Sequence, residues 1–158
     1  MKKILVTGGT GFIGSHTVVE LHNAGYEPIL IDNFSNSERS VLQGIKNITN
    51  KDFSFYEADC NDPNTFQSIF REHKIEGVIH FAAYKAVGES VKVPLKYYNN
   101  NINSLINLLE SMLKFEVNNL VFSSSCTVYG QPDSLPVTED APIKKAESPY
   151  GNTKQICE

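Results

Sequence analysis

Five short apolar runs, KILVTGG, EPILIDN, FSFYEAD, GVIHFAA and NLVFSSS, recur along the chain with amphipathic stretches between them. Each run is strand-length and apolar at successive positions, a pattern that predicts strands buried on both faces. The stretches between them carry helix signals. After Pro94, the residues Ile102, Leu105, Ile106, Leu109 and Leu113 follow the i, i+3, i+4 spacing of a buried helical face. Asp62 followed by Pro63 predicts an N-cap and a first helical residue. Strands that alternate with helices form a parallel sheet through right-handed crossovers, with helices on both faces. The expected fold is therefore α/β, a doubly wound parallel sheet of Rossmann type. Such sheets bind ligands beyond the carboxyl ends of the strands, where the strand order reverses.

At 158 residues and 41% hydrophobic content, the chain is long enough for one domain, spanning residues 1–158, with a real core. Its net charge of -4 lacks the basic footprint that nucleic-acid binding requires, so small molecules are the expected partners. The opening MKKILVTGG turns to glycine after three apolar residues, which predicts neither a signal peptide nor a membrane span and places the protein in the cytoplasm. Cys60, Cys126 and Cys157 form no C-x-x-C pair and read as reduced thiols. His16, His22, His73 and His80 are too scattered to form a metal site. The segment from Gly130 to Pro149 holds four prolines and has neither helical nor strand period. It is expected to be a loop over a functional site.

Directly after the first apolar run comes TGGTGFIGSH, with Gly8, Gly11 and Gly14 spaced G-x-x-G-x-x-G between a strand and a helix. Glycines in that context let the backbone turn tightly and approach a pyrophosphate, and the helix start then meets it with unpaired N–H groups and a positive dipole end. The second run ends in Asp32, eighteen residues beyond Gly14. An acid there accepts from the adenosine ribose hydroxyls and repels a 2'-phosphate, so the expected cofactor is NAD rather than NADP. Arg39 could in principle compensate, but it lies seven residues further on, so NAD remains the expected cofactor. Asp59 closes the third run in the same way and could reach the adenine amino group.

Near the carboxyl end, Tyr150 and Lys154 are four residues apart and share one helical face, with Ser148 as expected N-cap and Pro149 at the first helical position. A tyrosine with its ordinary pKa of about 10 is a poor base. A lysine ammonium one turn away and a nicotinamide cation both favour its phenolate. Ser123, Ser124 and Ser125 bring hydroxyls to the end of the fifth run, where a substrate oxygen would sit.

The glycine triplet, the HFAA strand end, the serine-rich fifth run and the Y-x-x-x-K pair together resemble the extended short-chain dehydrogenase/reductase family, most of whose members act on nucleotide sugars. Within it, TGGTGFIGSHTVVEL, IDNFSNS, HFAAYKAVGESVKVPLKYYNNN and FSSSCTVYG are similar to the UDP-glucose 4-epimerases along essentially the whole chain. The resemblance implies Tyr150 as catalytic base, Lys154 as its activator and ribose ligand, and Ser125 as a hydroxyl that helps pass the proton. It also implies Phe12 and Ile13 against the pyrophosphate, and Asp32, Asn33, Phe34, Ser35, Asn36 and Ser37 around the adenosine ribose. Asp59 with Cys60 would lie at the adenine, while Phe81, Ala82, Ala83, Tyr84, Lys85 and Asn100 would complete the cradle. The implied substrates are UDP-glucose and UDP-galactose, interconverted through a 4-keto sugar, and the implied full-length form is a homodimer. Related 4,6-dehydratases carry an Asp-Glu pair where this chain has Cys126 and Thr127, neither of which can do carboxylate chemistry. Family members also continue well beyond the Y-x-x-x-K helix with a region that holds the uridine nucleotide. Three readings follow: the amino-terminal half of a UDP-glucose 4-epimerase, inactive without the rest, an NAD-binding module with no turnover, or part of another NAD-dependent nucleotide-sugar epimerase of the same family.

Overall fold

The computed structural model describes all residues from 1 to 158. Its elements run β1 (Lys3–Thr7), α1 (Phe12–Asn23), β2 (Glu27–Asp32), α2 (Ser40–Thr49), β3 (Phe55–Glu57), α3 (Pro63–Glu72), β4 (Ile75–His80), α4 (Val87–Lys92), α5 (Pro94–Lys114), β5 (Leu120–Phe122), a short 3-10 helix (Cys126–Tyr129) and α6 (Pro149–Cys157). Contacts divide the chain into two compact units. The first comprises Met1–Ala82 with Ile106–Ser123, and the second comprises Ala83–Leu105 with Ser124–Glu158.

The first unit holds the whole sheet, in the order β3-β2-β1-β4-β5, with every pair parallel. The chain steps outward from β1 through β2 to β3, then returns to the other side of β1, so the order reverses between β1 and β4. Thr7 is in register with both Ile31 and His80, which aligns the carboxyl ends of the three central strands. On one face Val6 and Leu30 meet Val18 of α1 and Ile45 of α2, with Val19, Val41, Leu42 and Phe55 packed around them. Alternate residues point the other way. There Leu5, Ile29 and Ile31 are completely buried, as are Phe66 and Ile69 of α3 and Leu108 of α5. Each such side chain contributes about 1.5–3 kcal/mol through burial. Asp62 caps α3 as the sequence indicates, accepting from the Asn64 N–H at 2.9 Å.

Two expectations need correction. Only β1, β2 and β4 are buried strands; β3 and β5 are the sheet edges, three residues each, and Val121 of β5 is 60% exposed. An edge strand has a neighbour on one side only, so an apolar run does not guarantee cover on both faces. On α5 the buried stripe is Tyr97, Asn101, Ser104, Leu105, Leu108, Ser111 and Met112, while Ile106, Leu109 and Leu113 face outward. Apolar spacing picked a face one residue step away from the real one. Small or polar residues let a helix pack closely, and Ser104 satisfies its hydroxyl on the Asn101 carbonyl of its own helix, at 3.3 Å.

The second unit contains α4, the amino-terminal half of α5, the 3-10 helix and α6. Residues 130–148 form neither helix nor strand, as their prolines predict. Gln155 of α6 ties this segment down, its Nε2 donating to the carbonyls of Val128 and Lys144, each at 2.6 Å.

Two glycines of contrasting surroundings give a paired test. A β-carbon at Gly14 would run into the Gly8 carbonyl, whereas one at Gly44, inside α2, would meet nothing within 4 Å. Gly14→Ala should lower unfolding stability by about 3 kcal/mol, and Gly44→Ala should raise it by about 0.5–1 kcal/mol. Urea denaturation of both variants measures the difference.

Candidate cofactor and acid-base site

The residues singled out from the sequence fall into both units. Gly8, Gly11, Phe12, Ile13, Gly14, Asp32, Asn33, Phe34, Ser35, Asn36, Ser37, Asp59, Cys60, Phe81 and Ala82 lie in the first, and Ala83, Tyr84, Lys85, Asn100, Ser125, Tyr150 and Lys154 in the second.

In the first unit the glycine loop leaves β1 and enters α1. Gly8 has φ +66°, and a β-carbon on it would sit 3.0 Å from the Ala82 backbone nitrogen. The loop therefore passes against the chain leaving β4, with Ala82 N–H donating to Thr7 Oγ1 at 3.1 Å and that hydroxyl bonded to His80 Nδ1 at 2.8 Å. Gly11 is the N-cap of α1 and brings no side chain to it, so the first-turn N–H groups have no acceptor within the helix. Phe12 and Ile13 are exposed at this end, and Gly14 is buried. A loop with no β-carbon at its narrowest points, opening on a helix start, has the shape and partial charge that suit a phosphate group.

Asp32 organises the adjoining segment. Its Oδ2 accepts from the Thr10 N–H at 3.1 Å, and its Oδ1 accepts from the Phe34 N–H at 2.9 Å and the Ser37 hydroxyl at 3.1 Å. The Thr10 and Ser37 hydroxyls are bonded to each other at 2.8 Å. These contacts tie the glycine loop to the strand-two exit and still leave a carboxylate lone pair for a ligand hydroxyl. Asn33 donates to Asp59 at 3.4 Å, and Asp59 accepts from the Asn61 N–H at 2.8 Å. Ser35 and Asn36 are exposed on the same segment. Cys60 is buried, and burial first, with the Asp59 and Asp32 charges, pushes its thiol up to about 12. It can serve a ligand through its backbone, not as a thiolate. Arg39 is paired with Glu57 of β3 and lies 4.9 Å from the centre of the Phe34 ring.

In the second unit, Ser148 caps α6, accepting from the Gly151 N–H at 3.1 Å, and Pro149 occupies the first turn, both as the sequence indicates. Tyr150 is 8% exposed and Lys154 4% exposed. The nine-residue helix does not stand alone as its length suggests. Tyr150 N–H donates to Ser90 Oγ at 3.1 Å, Asn101 Nδ2 donates to Thr153 Oγ1 at 3.0 Å, and Tyr98 OH donates to Asn152 at 2.7 Å. Asn101 also grips the Tyr84 peptide from both sides, Oδ1 accepting its N–H at 2.9 Å and Nδ2 donating to its carbonyl at 3.0 Å. Asn100 donates to the same Oδ1 at 3.0 Å, so the buried Asn101 amide makes all four of its bonds. Ser90, Asn101, Thr153 and Thr10 lie inside the motif-bearing stretches, but no spacing or residue type in the sequence assigns them these hydrogen-bond partners. Ser125 accepts from the Thr127 hydroxyl at 3.0 Å and N–H at 3.3 Å, which keeps its own proton free to be donated.

Burial is the leading influence on Lys154 and lowers its pKa, partly countered by Cys157 and Glu158. A buried ammonium opposes folding below that lowered pKa, and the cost fades as pH rises from there towards the unfolded value of about 10.4. Lys154→Met should therefore raise the thermal midpoint by a few degrees at neutral pH, with the advantage shrinking in alkaline buffer. Melting curves across pH test both parts.

Two curated UDP-glucose 4-epimerases match nearly all of the chain: that of Bacillus subtilis is 56% identical over 98% of it, and that of Dictyostelium discoideum 51% identical over 99%. The chain spans about half the length of these relatives, 45% in each case. The crystal structure of the UDP-glucose 4-epimerase from Bifidobacterium longum, in complex with NAD+ and UDP, superimposes with a TM-score of 0.96 at 46% identity, covering 99% of this chain and 47% of that one. With a family model described as GDP-mannose 4,6 dehydratase matching residues 5–158, from inside β1 to the end, the chain belongs to that family of nucleotide-sugar enzymes.

Proposed function

We propose that these 158 residues are the cofactor-binding and acid-base part of an NAD-dependent UDP-glucose 4-epimerase. The observation that carries this reading is the Tyr150–Lys154 pair, buried on a helix whose first turn is pinned by two serine hydroxyls. A module that only bound a dinucleotide would have no need to bury a tyrosine and a cation side by side. The family also contains dehydratases, but elimination of water needs a carboxylate acid-base pair. Cys126 and Thr127 stand in its place, and Thr127 spends its donors on Ser125.

NAD, when bound, would supply the hydride acceptor and donor for C4 of the sugar. Gly8, Gly11 and Gly14 would carry its pyrophosphate, with Phe12 and Ile13 alongside. Asp32 would accept the ribose hydroxyls within the segment that runs through Asn33, Phe34, Ser35, Asn36 and Ser37. Asp59 and the Cys60 backbone would border the adenine, and Phe81, Ala82, Ala83, Tyr84, Lys85 and Asn100 the nicotinamide half. Tyr150 removes the 4-hydroxyl proton as the hydride leaves and gives it back on return. Lys154 would bring its charge to the same face of α6 one turn on, and Ser125 would donate to the sugar oxygen. Arg39 is occupied by Glu57, which favours NAD over NADP.

This activity is proposed for a polypeptide of the relatives' length, acting in the cytoplasm as a homodimer on UDP-glucose and UDP-galactose. No helix of the chain is long and apolar enough to cross a membrane. The 158 residues by themselves are expected to give no conversion, because positioning of the sugar over a cofactor can account for about 7–11 kcal/mol of a barrier and is proposed to come from the region beyond them.

Turnover of UDP-galactose by the protein expressed from its complete reading frame is the direct test. Tyr150→Phe should lower kcat by about 10²- to 10⁴-fold while NAD still binds. Wild-type turnover in that variant would sink the assignment of the base. Titrating NAD and NADP separately against wild type and Asp32→Ala should show a preference for NAD that narrows in the variant. Equal affinities in the wild type would overturn the role of strand two.

A further inference from the structure

We propose that Ser90, on α4, is a positioning residue for Tyr150. The proposal rests on the reading of Tyr150 as the acid-base group and concerns how that group is aimed. Pro149 brings no N–H to the first turn of α6, and the Ser148 hydroxyl is committed to the Gly151 N–H. The remaining first-turn donor is the N–H of Tyr150 itself, at a buried position where no acceptor in its own helix can reach it. Ser90 supplies the acceptor at 3.1 Å.

The geometry of that serine is tightly determined. It is completely buried, and its hydroxyl donates to the Val87 carbonyl at 2.6 Å. With the proton fixed on Val87, the oxygen's lone pairs are directed by its own helix, and Tyr150 must come to them. The carbonyl side of Tyr150 is held in the same manner, accepting from the Thr153 hydroxyl at 2.7 Å. Both polar groups of the Tyr150 backbone are thus gripped by hydroxyls, so the phenol swings only about its own two side-chain torsions.

The element behind Ser90 is anchored as well. Glu89 accepts from Tyr97 OH at 2.6 Å and from Lys96 Nζ at 2.8 Å, and Tyr97 is completely buried on α5. The same Lys96 ammonium lies 4.5 Å from the centre of the Tyr84 ring, whose peptide is held by Asn101. One platform of α4 and the start of α5 therefore fixes both the base and the segment beginning at Tyr84 that is assigned to the cofactor. Loss of the Ser90 hydroxyl would release the base from that frame without touching substrate or cofactor.

The test uses Ser90→Ala and Ser90→Thr in the protein expressed from its complete reading frame. Ser90→Ala should reduce kcat by about ten- to hundredfold, the scale of a displacement near 1 Å. KM for UDP-galactose and Kd for NAD should stay within about twofold, since ground-state binding is not at stake. Ser90→Thr, which keeps the hydroxyl, should recover most of the loss. Amide exchange at Tyr150 should be faster in the alanine variant than in wild type. An unchanged kcat in Ser90→Ala, or a fall in kcat matched by loss of NAD binding, would overturn the proposal, as would a Tyr150 amide equally protected in both proteins. A wild-type protein that binds NAD but turns over no UDP-galactose would defeat the epimerase reading instead. Exchange at Tyr150 would then decide the role of Ser90 alone.

Discussion

The close passage of the glycine loop against its neighbours is the constraint on which the first unit depends. Gly8 presses on the Ala82 backbone and Gly14 on the Gly8 carbonyl, with no room for a β-carbon at either point. Because the loop is this tight, only Gly8 to Gly11 separate β1 from α1, and no side chain caps the first-turn N–H groups. The same compactness lets the Thr10 N–H reach Asp32. A wider turn would break that contact and detach the acid from the loop. Fold and binding chemistry share one cause here, which is why a substitution as small as a methyl group acts on both.

The sequence was most informative where backbone chemistry dictates residue type. Glycines at a forced close approach, Asp62 and Ser148 as caps and Pro149 at a first turn were all legible, because few other residues can fill those positions. It was least informative where partners come from far along the chain. The exposed row Ile106, Leu109 and Leu113 repeats the i, i+3, i+7 spacing of the buried Leu105, Leu108 and Met112, so apolar spacing alone does not choose between them, and Asn101 and Ser104 are buried for what they bond to, not for their hydrophobicity. Edge strands misled for a related reason: an apolar run records composition, and cover depends on position in the sheet. Ser90 and Asn101 were invisible to motif reading because their importance lies wholly in which distant peptide they hold.

The helix that carries Tyr150 and Lys154 shows how a short segment can bear an unfavourable load. Nine residues in isolation would be a marginal helix in water, and Lys154 adds the burden of a buried charge. Hydrogen bonds with Ser90, Tyr98 and Asn101, together with the Gln155 clamp on residues 128 and 144, supply the opposing stabilisation. Stability invested in this way resembles an active site that trades local comfort for reactivity. Nothing in the helix sequence itself would retain its shape without these partners.

The three thiols of the chain differ sharply in accessibility, and this gives the protein a built-in handle for spectroscopy. Cys60 is buried and holds its proton to about 12, while Cys157 is partly buried and likewise raised by burial. Cys126 alone is exposed, next in sequence to Ser125 and on the 3-10 helix that Ser125 caps. Within these 158 residues a thiol-directed fluorophore would therefore attach chiefly at Cys126, and its emission would report directly on the surroundings of the serine assigned to proton transfer.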